Sequence, residues 1–398
     1  MTNLPQGWEV KKLEEIANIK GGKRLPKGEN LLDNNTKFAY IRVADFQDNG
    51  TINLQNIKFI NENTYNVLKN YKIYDDNLYI SIAGTIGKSG IIPKELNGAI
   101  LTENAVKLEY IQNNISNKFM YFFTLSNIFK TQIQTSTKIV AQPKLAITRL
   151  KQIQIPLPPL KEQERIVGIL DESFAKIDES IKILEQNLLN LDELMQSALQ
   201  KAFNPLKDNA KENYKLPQSW EWKSLEEISE NIYAGGDKPK NCTESKTAKN
   251  QIPVYANGVN NNGLVGYTDK ATIIKPSLTI SARGTIGFVC IRKEPYFPIV
   301  RLISLIPCEN ILCLHYLYFC LNFFIAKGEG SSIPQLTIPK FKSLQIPLPP
   351  LKEQEQIAKH LDFVFEKTKA LKELYTKELK DYEELKQSLL NKAFKGEL

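Results

Sequence analysis

Histidine is nearly missing from this 398-residue chain, which has only His315 and His360, and its five cysteines all fall in the second half with no CxxC spacing. A zinc site, a disulfide framework or a His-based catalytic triad is therefore not expected, because each needs imidazole or thiolate groups in fixed constellations. No apolar run approaches the ~20 residues that span a bilayer, and the opening MTNLPQGWEVKKLEE lacks the apolar stretch of an export signal. A cytoplasmic protein without membrane contact is the expectation. Two cofactor signatures are also lacking. GTIGKS ends like a phosphate-binding loop, but the glycine required five positions before Gly87 is Ile82, and the second occurrence of the turn continues with Phe288-Val289 instead of Lys-Ser. No glycine-rich methyl-donor loop and no Asn/Asp-Pro-Pro-aromatic string occurs; the chain's Asn204-Pro205 continues with Leu206. A non-catalytic chain is expected.

What is present is one unit written twice. QIPLPPLKEQER begins at Gln154 and QIPLPPLKEQEQ at Gln345, 191 residues later, and the same offset carries Lys201-Ala202-Phe203 onto Lys392-Ala393-Phe394. Upstream, SIAGTIGKSGII at Ser81 matches SARGTIGFVCIR at Ser281, and LPQGWEVKKLEEI at Leu4 matches LPQSWEWKSLEEI at Leu216. These offsets are 200 and 212, so the two halves differ by insertions. Between the anchors the copies share little, as expected of one scaffold carrying two different surfaces.

Each copy closes on a long helix. The proline pairs Pro158-Pro159 and Pro349-Pro350 sit where a helix can begin but not continue, acids follow in the first turn, and Asn204-Pro205 and Gly396 suit the two ends. In the first helix Val167, Leu170, Phe174, Ile177, Ile181, Leu184, Leu188, Leu191, Met195, Ala198 and Ala202 form a heptad seam. The second has Leu361, Val364, Leu371, Tyr375, Tyr382, Leu385 and Leu389, with Thr368 and Glu378 as interruptions. A helix of about 45 residues extends roughly 67 Å, more than a small domain needs for its own core, so the two are expected to pair antiparallel about a pseudo-twofold axis.

The globular parts mix short strand-like runs (38–43, 78–82, 278–280) with turns and one short helix each near 117–130 and 312–326, an α+β pattern. The expected division is a first globular domain at 1–155, a long helix at 156–203, a polar linker at 204–216, a second globular domain at 217–346 and a second long helix at 347–398. Charge follows this division. Residues 160–203 hold 5 Lys/Arg against 9 Asp/Glu and 352–398 hold 10 of each, so the remainder of a chain of net charge +8 carries +12. A basic excess in the globular parts fits a polyanionic partner. Basic and amide residues in turn-like segments are candidates for base and phosphate contact: Lys23, Arg24, Arg42, Lys88, Lys138, Gln142 and Lys144 in the first copy, and Lys238, Lys240, Asn257, Asn260, Arg283, Ser331, Ser332 and Gln335 in the second. Arg42 and Arg283 adjoin strands and stand out among them. The GTIG turns read as tight strand connections, and Trp8 and Trp220 as core.

Two variable domains, each closed by IPLPPLKEQ and a long helix, with W-x-x-x-x-L-x-E-I openings at Trp8 and Trp220, resemble the specificity subunit of Type I restriction–modification systems over essentially the whole chain. The resemblance implies two target recognition domains that read the halves of a bipartite, asymmetric site in double-stranded DNA, with the paired helices setting the spacer. It further implies two modification subunits as partners, restriction subunits through them, and no cofactor on this chain, since S-adenosylmethionine, ATP and Mg belong to the partner subunits.

Overall fold

The computed structural model describes residues 4–137, 145–203, 217–325 and 335–398. It divides into two compact units. Unit 1 comprises Met1–Leu184 with Lys377–Leu398, and unit 2 comprises Glu185–Thr376. Each unit thus holds one globular domain, the start of the long helix that follows it, and the end of the other long helix.

The two units repeat one topology. In unit 1 a four-stranded antiparallel sheet runs in the order Ala17–Gly21, Ala105–Tyr110, Leu78–Ser81, Ser89–Ile91, and a second small sheet pairs Ala39–Ile41 in parallel with Ala99–Leu101. Unit 2 repeats this with Ser229–Ala234, Ile303–Pro307, Ser277–Ile280 and Val289–Arg292, and with Ile252–Tyr255 parallel to Phe297–Pro298. The sequence anchors meet in space. The opening strand Glu9–Lys12 pairs with Gln154–Leu157, and Glu221–Ser224 with Gln345–Leu348. The LEEI segments that follow are short helices whose starts are capped by the glutamate three residues on. Lys12 N–H donates to Glu15 at 2.8 Å, and the Ser224 amide and hydroxyl donate to Glu227 at 2.7 and 2.6 Å.

The repeated glutamine of LKEQE has a structural use that its polarity conceals. Gln163 is 1% exposed and Gln354 fully buried. Gln163 accepts from the Ser116 amide at 2.9 Å and donates to the Asn114 and Pro158 carbonyls at 3.1 and 2.9 Å. Gln354 does the same with Cys313 N–H (2.9 Å), the Ile311 carbonyl (2.9 Å) and the Pro349 carbonyl (2.8 Å). Each glutamine therefore fastens the first turn of a long helix to the loop that starts the domain's own short helix, Asn117–Leu125 or Leu314–Phe324. Gln163→Leu removes three hydrogen bonds made by a buried side chain and leaves the buried Pro158 carbonyl without its partner, and is expected to cost about 2–3 kcal/mol in chemical denaturation. A loss under about 0.5 kcal/mol would contradict this role.

The long helices are Leu160–Phe203 and Leu351–Ala393. Within unit 1 they run antiparallel: Arg165 donates to the Leu398 carbonyl at 2.8 Å, and further along Asp178 pairs with Lys386 at 2.5 Å. Unit 2 has Asp192 paired with Lys372. Leu170, Ile177, Leu184 and Leu191 are buried at strict heptad spacing. Beyond them the seam leaves the expected path, burying Leu199 in place of Ala198 as the helix approaches Phe203 and the unit 2 core. The second helix departs further. Leu371 and Leu385 are exposed, while Thr368, expected as an interruption, is buried in the stripe because its hydroxyl donates to the Val364 carbonyl at 2.7 Å. Each helix ends inside a domain core. Phe394 packs at a steep angle against Phe119 and Phe123 in unit 1 (ring centroids 5.1 and 5.5 Å), and Phe203 edge-on against Tyr316 in unit 2 (5.5 Å). Trp220 is buried, its indole N–H donating to Glu353 at 3.1 Å, and Trp8 packs partly buried on the unit 1 core.

Candidate nucleic-acid interface

In each unit, loops far apart in sequence converge through backbone hydrogen bonds on one corner of the main sheet. In unit 1, Gly22 N–H donates to the Ala105 carbonyl and Lys23 N–H to the Leu101 carbonyl, both at 2.9 Å, which sets Lys23 and Arg24 beside the 102–104 connection. Thr102 N–H reaches the Ile41 carbonyl (3.0 Å), next to Arg42, and Ile82 N–H reaches the Asn104 carbonyl (2.8 Å), bringing in the GTIG turn. That turn needs its glycines: Gly84 and Gly87 have φ of 74° and 88°, and Gly284 and Gly287 repeat this at 68° and 81°. Both copies close with the same bonds, Gly87 N–H to the Ser81 carbonyl (2.9 Å) and Gly287 N–H to the Ser281 carbonyl (3.0 Å).

Unit 2 builds the corresponding corner with different groups. Val300 and Arg301 N–H donate to the Gly236 and Gly235 carbonyls, both at 2.7 Å. Asn257 lies across the corner: its amide donates to the Val300 carbonyl (2.6 Å) and its oxygen accepts from Ala282 N–H (2.8 Å), one residue before Arg283. The neighbouring loop carries Asn261 and Asn262, both left-handed at φ 48° and 51°. Arg292 holds this loop from beneath. Its guanidinium, 8% exposed, lies 3.6 Å from the Tyr255 ring centroid and donates to Thr279 Oγ1 (3.0 Å) and the Asn262 carbonyl (2.5 Å). The same sheet position in unit 1 is the buried Ile92, so this support is particular to unit 2. Arg292→Ala is expected to cost unit 2 about 2–3 kcal/mol, through lost packing, stacking and charged hydrogen bonds, and to speed amide exchange at Asn261 and Asn262. Unchanged exchange there would contradict the supporting role.

The candidate residues fall into three groups. Some are tied down within the domain. Arg42 is bound through Nε and Nη2 to the buried Asp45 (3.1 and 2.6 Å), whose hydrogen bond and charge hold the guanidinium above the usual range, and it also donates to the Asn56 carbonyl (3.0 Å). Lys88 pairs with Asp48 at 2.7 Å, and Asn257 spends both ends of its amide on the corner. Arg24 pairs with Glu103 at 2.7 Å. Burial works against ionisation of Glu103, but hydrogen bonds, that of Arg24 foremost, outweigh it and hold the carboxyl below its ordinary range. A second group, Lys23, Lys238, Lys240 and Asn260, is exposed, and Arg283 is exposed with a weak contact to Gln335 at 3.3 Å. Lys138, Gln142, Lys144, Ser331 and Ser332 lie outside the described residues. Sequence reasoning missed Arg292, which a polar residue ending an otherwise apolar repeat could have signalled, and Arg301, for which nothing in the sequence stands out.

Comparison with known proteins agrees with this geometry. The profile for the "Type I restriction modification DNA specificity domain" matches twice, over residues 5–189 and 217–381. The chain belongs to that family. It is a Type I specificity subunit built from two such domains. A type I specificity subunit of Mycoplasma pneumoniae is 29% identical over 357 residues, covering 88% of this chain and 87% of its own length. Among solved structures, a chain from work on complex assembly and conformational transition of the type I R-M system superposes with a TM-score of 0.82 at 20% identity, covering all of both chains. The HsdS subunit from Thermoanaerobacter tengcongensis superposes with 0.61 at 21% identity, covering 100% of this chain and 98% of that one. Both structures bear on the fold. No described helix is long and apolar enough to cross a membrane, and among the described residues no group of three or more His, Cys, Asp or Glu side chains is placed to hold a metal ion.

Proposed function

We propose that each unit reads one half of a bipartite, asymmetric site in double-stranded DNA, that the long helices fix the spacer, and that two modification subunits, and restriction subunits through them, dock on the repeated parts. The observation that carries this is the pair of matching corners. One scaffold, with its GTIG turn closed by the same backbone bond in both copies, presents Lys23, Arg24 and Arg42 in one copy and Lys238, Asn260, Arg283 and Arg301 in the other. A shared frame with different donors is what two different half-sites require, since bases are distinguished by the donors and acceptors offered to them while phosphate contacts only position the protein. The chain is a DNA-recognition subunit without chemistry of its own. S-adenosylmethionine, ATP and Mg are handled by its partners, and it works in the cytoplasm.

Exchange of residues 217–346 for the matching segment of another family member tests the division of labour. Methylation directed by the hybrid is expected to change in one half-site and keep the other. A change in both halves, or methylation or cleavage of DNA by the purified chain alone, would contradict the proposal.

A further inference from the structure

The two corners differ most sharply at their tips. In unit 2 the connection from Phe297–Pro298 to Ile303–Pro307 turns through Val300 and Arg301, both exposed and both left-handed, at φ 53° and 58°. Left-handed backbone crowds the Cβ of any L residue, and a β-branched valine tolerates it poorly. The conformation is nevertheless fixed at both residues, by their N–H bonds to Gly236 and Gly235 and by Asn257 on the Val300 carbonyl. Strain held in place by surrounding bonds at an exposed tip points to a use for that tip. Its charge points to the kind of use. In unit 1 the same connection carries Thr102-Glu103, and Glu103 is neutralised by Arg24. In unit 2 it carries a guanidinium that, among the described residues, forms no ion pair and no side-chain hydrogen bond. Arg24, Arg42 and Lys88 would each have to leave a carboxylate before meeting another partner; Arg301 would not.

We propose that Arg301 is a specificity-determining residue of unit 2, presenting two guanidinium N–H donors to the O6 and N7 of one guanine in the half-site that this unit reads. The assignment rests on the DNA-reading function proposed above. A fixed backbone position with an uncommitted planar donor suits two-point recognition of guanine, the commonest specific arginine contact. Asn257 also couples this tip to the 282–284 turn, so that Arg301 and Arg283 are set from one rigid frame.

The test is to supply Arg301→Ala and Arg301→Gln in the full chain, with its modification partners, and to map the methylated motif by sequencing. One guanine of the unit 2 half-site is expected to become degenerate, with discrimination there falling roughly 5- to 150-fold, while the other half-site and the spacer stay as they were. An unchanged motif, whether methylated at the original rate or uniformly more slowly, would overturn the assignment, since a uniform loss marks a phosphate contact. If a variant loses methylation altogether, competition binding of the whole complex to duplexes differing only at that base pair decides: a preference for guanine that the unsubstituted complex shows and the variant loses supports the proposal, whereas a preference the variant retains, or the lack of any preference in the unsubstituted complex, overturns it. A complex with the unsubstituted chain that methylates no site depending on it would instead refute the DNA-reading function, an outcome distinct from any produced by the Arg301 variants.

Discussion

Phe394→Ala is expected to remove about 3–5 kcal/mol from unit 1, the usual cost of emptying a buried phenylalanine site. Phe394 lies four residues from the end of the described chain, yet it is 1% exposed and wedged against Phe119 and Phe123, with Leu390 and Ala393 beside it in the same core. For a unit of about 200 residues that loss corresponds to a fall in thermal midpoint on the order of 10 °C. Phe203→Ala should do the same to unit 2, where Phe203 packs on Tyr316 and Phe323. Scanning calorimetry that resolves the two units is expected to show each substitution lowering one transition and sparing the other. A loss below about 1 kcal/mol would mean that the helix ends are not part of the domain cores.

The second large effect concerns the ruler. Asp178–Lys386 in unit 1 and Asp192–Lys372 in unit 2 give the pairing register of the helices within each unit, so removal of residues 181–187 from the first helix and 377–383 from the second is a matched deletion. Seven residues are about two helical turns, or roughly 10 Å, comparable to about three base pairs at 3.4 Å each. The methylated site is expected to keep both half-sites and lose about three base pairs of spacer. Three base pairs also turn the duplex by roughly 100°, while a heptad turns an α-helix by only ~20°, so the shortened chain should work more slowly. Altered half-sites with an unchanged spacer would show that helices and domains have been given the wrong roles.

Much of the fold was legible because it was written twice. The strand openings, the proline-led helix starts, the GTIG turns and the heptads of the first helix depend on local chemistry: fixed φ at proline, free φ at glycine, a carboxylate three residues past a cap, apolar spacing. The glutamine of LKEQE was visible as a repeat, but not as a buried side chain making three hydrogen bonds, because two of its three partners lie more than 40 residues away. Thr368 looked like a flaw in the second seam, since a hydroxyl satisfied by its own helix is indistinguishable in sequence from one that needs water. The candidate site was legible only in kind. Residue type could nominate Arg42 and Asn257, but not that Asp45 binds the one or that the other spends its amide on Val300 and Ala282. Arg301 was invisible for the opposite reason: its placement comes from a left-handed backbone that valine and arginine do not favour and that the glycine turn at 235–236 imposes.

The most direct test of the central claim is methylation mapping by long-read sequencing in cells that carry this chain with its modification partners and in the same cells with the chain deleted. The prediction is a bipartite site, two different half-sequences around an unspecified spacer, methylated only when the chain is present. A short continuous site, or a bipartite one that persists without the chain, would contradict it.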